Sequence, residues 1–238
     1  SVVGQYFFHR VLAAVAGPVD DLDDRLRQLE QVQILVKRAH PDEVQYQFKH
    51  AIAQETVYKA ILHRQRTDLH LRIAEVLEQM FASRLHDVFG MLAYHYSAGE
   101  HLDKAYEYLT KAGEEALKAS ASSEALEFYK DALRVYLGQA RSAADPVKVA
   151  ALEKNIALAC YNRGLYPDAI EHFDRLHRYL WRIPTRPAAR ALKLAASVLH
   201  MVVGLYCPPV RWRRAPSPGD VETINVFYYK LLAMGHTD

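Results

Sequence analysis

Phe89-Gly90-Met91-Leu92-Ala93-Tyr94-His95-Tyr96-Ser97-Ala98-Gly99, followed by Asp103-Lys104-Ala105-Tyr106-Glu107-Tyr108-Leu109-Thr110-Lys111-Ala112, is the stretch that decides the fold. Both halves repeat with helical period. Phe89, Leu92, Ala93 and Tyr96 share one face of the first half, and Ala105, Leu109 and Ala112 share one face of the second. Each face sets small residues beside large ones. The alanines let two helix backbones approach closely, and the large side chains fill the groove beside them. The spacing therefore predicts a packed helix pair.

The pattern returns twice downstream. Gly113 lies on the first helix of a second copy, followed by Ala125, Tyr129 and Ala132. A third copy has Ile156, Ala157 and Cys160, then Ala169, Phe173 and Leu176. Asp145-Pro146 opens its first helix, and Tyr166-Pro167-Asp168 turns into its second. The first two copies share a helix, so the repeat is irregular. A bulky, a small and an aromatic residue on one helix, then small, large and small on the next, is the tetratricopeptide (TPR) pattern. No single pair buries its own apolar face, so neighbours must stack. The expectation is an all-α chain built around a TPR-like right-handed helical solenoid over 86–183. Its structural positions are Leu92, Ala93, Tyr96, Ala105, Leu109, Ala112, Ala125, Tyr129, Ala132, Ala157, Ala169 and Phe173.

Upstream, residues 50–85 read as two connecting helices. Ile52, Val57 and Ile61 mark a face of one, and Leu69, Ile73, Val76 and Leu77 a face of the other. Residues 1–49 read differently. A helix from about Gln5 to Ala16 is stopped by Gly17-Pro18, and Asp20 or Asp21 caps a second helix carrying Leu22, Leu26 and Leu29. The period then becomes two, in Val32, Ile34 and Val36 and again in Val44, Tyr46 and Phe48, with Pro41-Asp42 between. Two helices and a two-stranded wing make a partial winged-helix unit, which would need one more helix ahead of it.

Downstream, 184–238 reads as a further helical pair. Pro184 and Pro187 break the chain before an apolar helix from about Ala188 to Tyr206. A Pro-rich loop leads to a last helix whose Val226, Phe227, Leu231 and Leu232 are expected to meet another repeat. The chain starts at Ser1 within an apolar segment and reads as a fragment of a longer protein.

Composition narrows the function. The 238 residues are 50% hydrophobic and 24% charged, with a formal net charge of +2. That balance gives no general attraction to nucleic acid or to an anionic membrane. No stretch reaches the ~18 apolar residues of a membrane span. Cys160 and Cys207 match neither a disulfide framework nor a zinc spacing, so a reducing, cytoplasmic setting is expected.

Phe48-Lys49-His50-Ala51-Ile52-Ala53-Gln54-Glu55-Thr56-Val57-Tyr58 and Arg66-Thr67-Asp68-Leu69-His70-Leu71-Arg72-Ile73-Ala74 resemble signatures of bacterial STAND-type signalling ATPases, often fused to class III adenylate cyclases. Val2-Val3-Gly4-Gln5-Tyr6-Phe7 resembles the start of their winged-helix region. Ala93 to Gly99 with Lys104-Ala105 resembles their first repeat. The resemblance implies a phosphate-loop ATPase upstream, with ATP or ADP and Mg bound there. No phosphate loop (GxxxxGK[ST]) occurs in this chain, so no cofactor is expected in it. It also implies a role for His50 as a nucleotide sensor in the parent, because a histidine opening the helix after the wing contacts ADP phosphates in related ATPases. This sequence has Phe48-Lys49-His50-Ala51 and lacks the aspartate that follows in that motif.

Other candidates weigh less. The helix before the wing would be the groove reader of a DNA-binding unit, but it carries Asp20, Asp21, Asp23, Asp24 and Glu30 against Arg25 and Arg27. That charge opposes phosphate, so nucleic acid is not the expected partner, and a DNA-binding regulator with a TPR sensor is the alternative. Arg211-Trp212-Arg213-Arg214 reads as a solvated loop. His63, His70, His86, His95 and His101 show no secure metal-ligand spacing. No nucleophile or acid–base constellation is present, so no catalytic or metal residue is assigned. Lys154 matches a peptide-carboxylate clamp position, but Leu158 stands at the partnering Asn place. The expected partners are a protein or peptide on the helical array and, within one chain, an upstream NTPase domain.

Overall fold

The computed structural model describes residues 1–40, 43–140, 144–181 and 218–236. The chain is mostly helical, with a small three-stranded antiparallel sheet. It divides into two units, 1–115 and 116–238.

In the first unit, Val44, Tyr46 and Phe48 alternate with polar residues along β3 (Glu43–Phe48), as their sequence pattern predicts. β3 is the central strand. It pairs antiparallel with β1 (Tyr6–Phe8) on one side and β2 (Leu35–His40) on the other. The register sets Phe7 opposite Tyr46 and Leu35 opposite Phe48. These four residues form a core with Leu26 of α2 (Leu22–Gln31), and Val3, Leu12, Leu22 and Val44 pack against it. The Phe7 and Tyr46 rings stack at 5.8 Å.

Two sequence expectations are corrected here. The helix expected from Gln5 begins only at His9, as α1 (His9–Ala16). Tyr6, Phe7 and Phe8 are aromatic, favour extended backbone, and add a third strand to the expected two-stranded wing. The Val32–Ile34–Val36 alternation also fails as a buried face. Val32 caps α2 and Gln33 turns the chain at φ 58°, so β2 starts at Leu35. Leu35 is buried, while Val32 is 64% exposed. A one-residue shift of register exchanges the two faces of a strand.

α1 packs on α4 (His63–Met80). Val11 and Val15 are buried, the Arg72 guanidinium donates to the Val15 carbonyl at 2.9 Å, and Arg10 lies over the Phe81 ring. α3 (Ala51–Ala60) contains no buried residue, and Ile52 is 77% exposed, so the apolar face expected for it is not packed. A short 3-10 turn (Leu85–Val88) leads into α5 (Phe89–Ala98), which packs on α4. α6 (Leu102–Lys118) follows, and the division between units falls in its last turn.

The second unit contains α7 (Ser122–Ala140), α8 (Pro146–Asn162), α9 (Tyr166–Trp181) and α10 (Pro218–Met234). α8 packs on α7, α9 on α8, and α10 on both α8 and α9. The Asp145 carboxylate accepts from the Val147 amide at 2.9 Å, and Pro146 occupies the first turn, the helix start the sequence predicts. Gly164, at φ 73°, turns the chain between α8 and α9. On α10, Val226 is buried but Leu231 is 66% exposed, so these two do not share one packed face. Phe227's side chain, the apolar helix expected over 188–206 and Arg211–Arg214 lie outside the described residues.

Candidate functional site

All twelve singled-out repeat positions are buried. Leu92, Ala93, Ala105, Ala125, Ala132, Ala157, Ala169 and Phe173 have no exposed surface, and Tyr96, Leu109, Ala112 and Tyr129 have almost none. The small residues mark where backbones approach, and the large ones fill the space beside them. These positions hold helices together within each unit. Any surface for a partner must come from residues between them.

Polar groups are set into the helix contacts of each unit. His70 of α4 and His95 of α5 are both buried, with their Nδ1 atoms 2.9 Å apart. A hydrogen bond between two ring nitrogens requires one N–H and one bare nitrogen, so at most one of the two rings can carry a charge. His70 Nε2 lies 3.0 Å from the Tyr58 hydroxyl, and the tautomer of His70 decides which of them donates. The Tyr94 ring meets His70 edge-on at 5.5 Å. Burial, reinforced by Arg66, drives His70 down to about 4. Burial and the neighbouring His70 drive His95 down to about 3. An imidazolium here would lose its water shell and face another ring that cannot compensate it.

A second polar cluster joins α4, α5 and α6. Lys104 Nζ donates to both oxygens of Glu78 at 2.7 and 2.8 Å, and the Tyr108 hydroxyl donates to the same carboxylate. The Tyr96 and Tyr108 rings stack at 5.6 Å, nearly parallel, and Lys104 Nζ lies 5.0 Å from the Tyr96 centroid. Burial acts to raise the Glu78 carboxyl, but hydrogen bonds from Lys104, Tyr108 and Tyr96 outweigh it and hold it below the usual range. The hydrogen bond to Glu78 raises Lys104 in turn.

In the second unit the corresponding polar contact has different chemistry. Glu153 of α8 is buried, and His172 Nδ1 of α9 bonds its carboxylate at 2.5 Å. On the outer face of α9, Asp174 pairs with Lys230 of α10.

His50 stands at the position preceding α3, in extended backbone, and its ring makes no capping bond. It is exposed. His63 lies 3.6 Å from Glu100, and His86 lies 3.2 Å from Asp87, both at the surface. Among the described residues no three His, Cys, Asp or Glu side chains gather as a metal site, and no helix is long and apolar enough to cross a membrane. Sequence reasoning treated the histidines one at a time and missed the His70–His95 pair. One signal was available: His70 precedes Ile73, Ala74 and Leu77 by three, four and seven positions, which puts it on the buried stripe of its helix.

No protein-family model matches the chain. It is similar to an uncharacterized protein of Rhizobium meliloti (strain 1021), at 31% identity over 140 residues. The match takes in 55% of this chain and 14% of that protein, so the chain spans a small part of its relative's length.

Proposed function

We propose that this chain is a regulatory protein–protein interaction module of a multidomain signalling ATPase, of the kind fused to class III adenylate cyclases. In this reading residues 86–183 form a TPR-like right-handed solenoid that holds a protein or peptide partner. Residues 1–49 form a winged-helix unit that passes the binding event to an upstream nucleotide-binding domain, where ATP or ADP and Mg reside. His50 would touch the nucleotide in that parent, from its exposed place ahead of α3. The chain itself would catalyse nothing.

The observation that carries the reading is the coincidence of pattern and burial. Twelve positions chosen by a TPR spacing rule are all buried. The strand order β1-β3-β2 with α1 and α2 between β1 and β2 supports the winged-helix part, since a wing hairpin joined by an earlier strand is what that unit needs. The relative's much greater length is consistent with a module carried in a large protein.

Coupling requires one element with two states that both sites bias. The test is ATP turnover by the intact parent compared with a version ending before Phe89. Removal of the array is expected to change turnover and to abolish its response to the partner. Equal turnover and an equal response in both would refute the proposal, as would ATPase or cyclase turnover by the purified chain alone.

A further inference from the structure

β2 is an edge strand, and no strand pairs with its outer edge among the described residues. Ile34 accepts from the Lys49 amide at 2.9 Å, and the register pairs Val36 with Gln47 and Arg38 with Gln45. In an antiparallel ladder these alternate residues bond inward to β3, so Leu35 and Lys37 turn their own N–H and C=O groups outward. A cleft of about 390 Å³ lies against this strand, lined by Glu30, Gln33, Leu35, Val36, Lys37 and Lys49. Three consecutive strand residues line it, so the backbone as well as the side chains faces the space. Glu30 Oε1 is shielded from water and accepts no hydrogen bond among the described residues.

We propose that this edge docks an extended acidic peptide segment, which adds a strand to the sheet beside β2. Its backbone would pair with Leu35 and Lys37, the mode by which exposed sheet edges take up peptides. Charge complementarity sets the sign of the partner: Lys37, Arg38 and Lys49 are exposed around the strand, and Glu30 is the single carboxylate among the described residues that line the cleft. The same charges disfavour a second copy of this chain, because pairing two β2 edges would set Lys37 and Arg38 against their counterparts. Exposed Ile34 and Val36 give the partner's apolar side chains something to cover. This surface is separate from the helical array, so it stands or falls independently of the function proposed above.

The experiment uses the full 238-residue chain and a fluorescent peptide of about seven residues, a strand's length, alternating glutamate with valine. Binding is read by anisotropy at low salt, with backbone amide shifts recorded at Leu35 and Lys37. The acidic peptide is expected to bind at least about tenfold tighter than a lysine–valine peptide. Lys37→Ala, which keeps the outward N–H, is expected to weaken binding several-fold. Lys37→Pro is expected to abolish it, and proline at an outward edge position leaves the ladder to β3 intact. Circular dichroism establishes that both variants fold. Equal binding of the two peptides would overturn the proposal, as would full binding by folded Lys37→Pro or amide shifts confined to the helices. Displacement of the peptide by duplex DNA, or self-association through β2 without peptide, would overturn it too.

Discussion

The α4–α5 joint of the first unit and the α8–α9 joint of the second follow one scheme and differ in one contact. Each brings two helices together over small residues, Ala93 in the one and Ala157 and Ala169 in the other. Each also encloses a histidine. In the first joint, the histidine meets another histidine, and burial keeps both rings neutral. In the second, it meets the Glu153 carboxylate. The two joints thus share their apolar spacing and differ in the polar contact. That contact is where the two joints should respond differently to their surroundings.

The largest effect should come from packing, which the joints have in common. Phe173 has no exposed surface, and Phe173→Ala removes a ring from the second unit's core. A loss of about 4 kcal/mol is expected, read by urea unfolding. If the loss were smaller than that of removing Glu153, the polar contact rather than packing would hold the joint.

The next effect separates the joints. Unfolded histidines take up a proton near pH 6.5, whereas folded His70 and His95 resist until about 4 and about 3. Between those limits the unfolded chain holds more protons, so falling pH favours unfolding. The pair's contribution is fully present above pH 6.5 and disappears progressively toward pH 3. Charged Arg66 on the same helix adds to the cost, while Tyr58 of α3 and Tyr94 of α5 offer no compensating charge. The first unit should lose on the order of 3 kcal/mol already by about pH 5.5. Amide exchange at α4 and α5 should speed up accordingly, and the joint substitution His70→Leu with His95→Leu should flatten that pH dependence. An unchanged slope in the double variant would assign the acid sensitivity elsewhere.

The third effect concerns the other joint. Glu153→Leu leaves the half-buried His172 Nδ1 without its acceptor, at a cost of about 2 kcal/mol. Glu153→Gln restores an acceptor and should recover most of it. A thermal shift series on the three proteins orders them.

Legibility in the sequence divides along similar lines. The repeat positions were readable because close helix contact demands small residues at fixed intervals, and helical period survives an error of one or two residues in where a helix begins. The sheet had no such tolerance. Period-two alternation was correct for Val44, Tyr46 and Phe48, but in Val32–Ile34–Val36 it ran through the end of α2 and a left-handed turn at Gln33. Leu35 then took the buried face. Tyr6–Phe8 borders a helix directly, and its strand character comes from pairing with residues about 40 positions away, beyond any local window. The His70–His95 pair escaped for the same reason: each ring was visible on its helix, but the contact between them exists only once α4 and α5 are packed.

The smallest effects come from two glycines and have opposite signs. Gly99 follows α5 with φ in the ordinary negative range, so its lack of a side chain is not a matter of backbone freedom. A Cβ there would lie 2.6 Å from Leu71 Cδ2 and 2.9 Å from Cγ, so Leu71 of α4 occupies the space. Gly99→Ala must push Leu71 out of the α4–α5 contact, and a loss of about 1 kcal/mol is expected. Gly138 lies in α7 with nothing near the position of a Cβ. Gly138→Ala reduces the freedom of the unfolded chain and adds helix propensity, so a gain of roughly 0.5–1 kcal/mol is expected. The comparison is made by melting both variants under one condition. Destabilisation by Gly138→Ala would mean that a neighbour covers α7 at that position. A neutral Gly99→Ala would mean that Leu71 moves aside freely, and that the α4–α5 joint owes its closeness to Ala93 and the histidine pair instead.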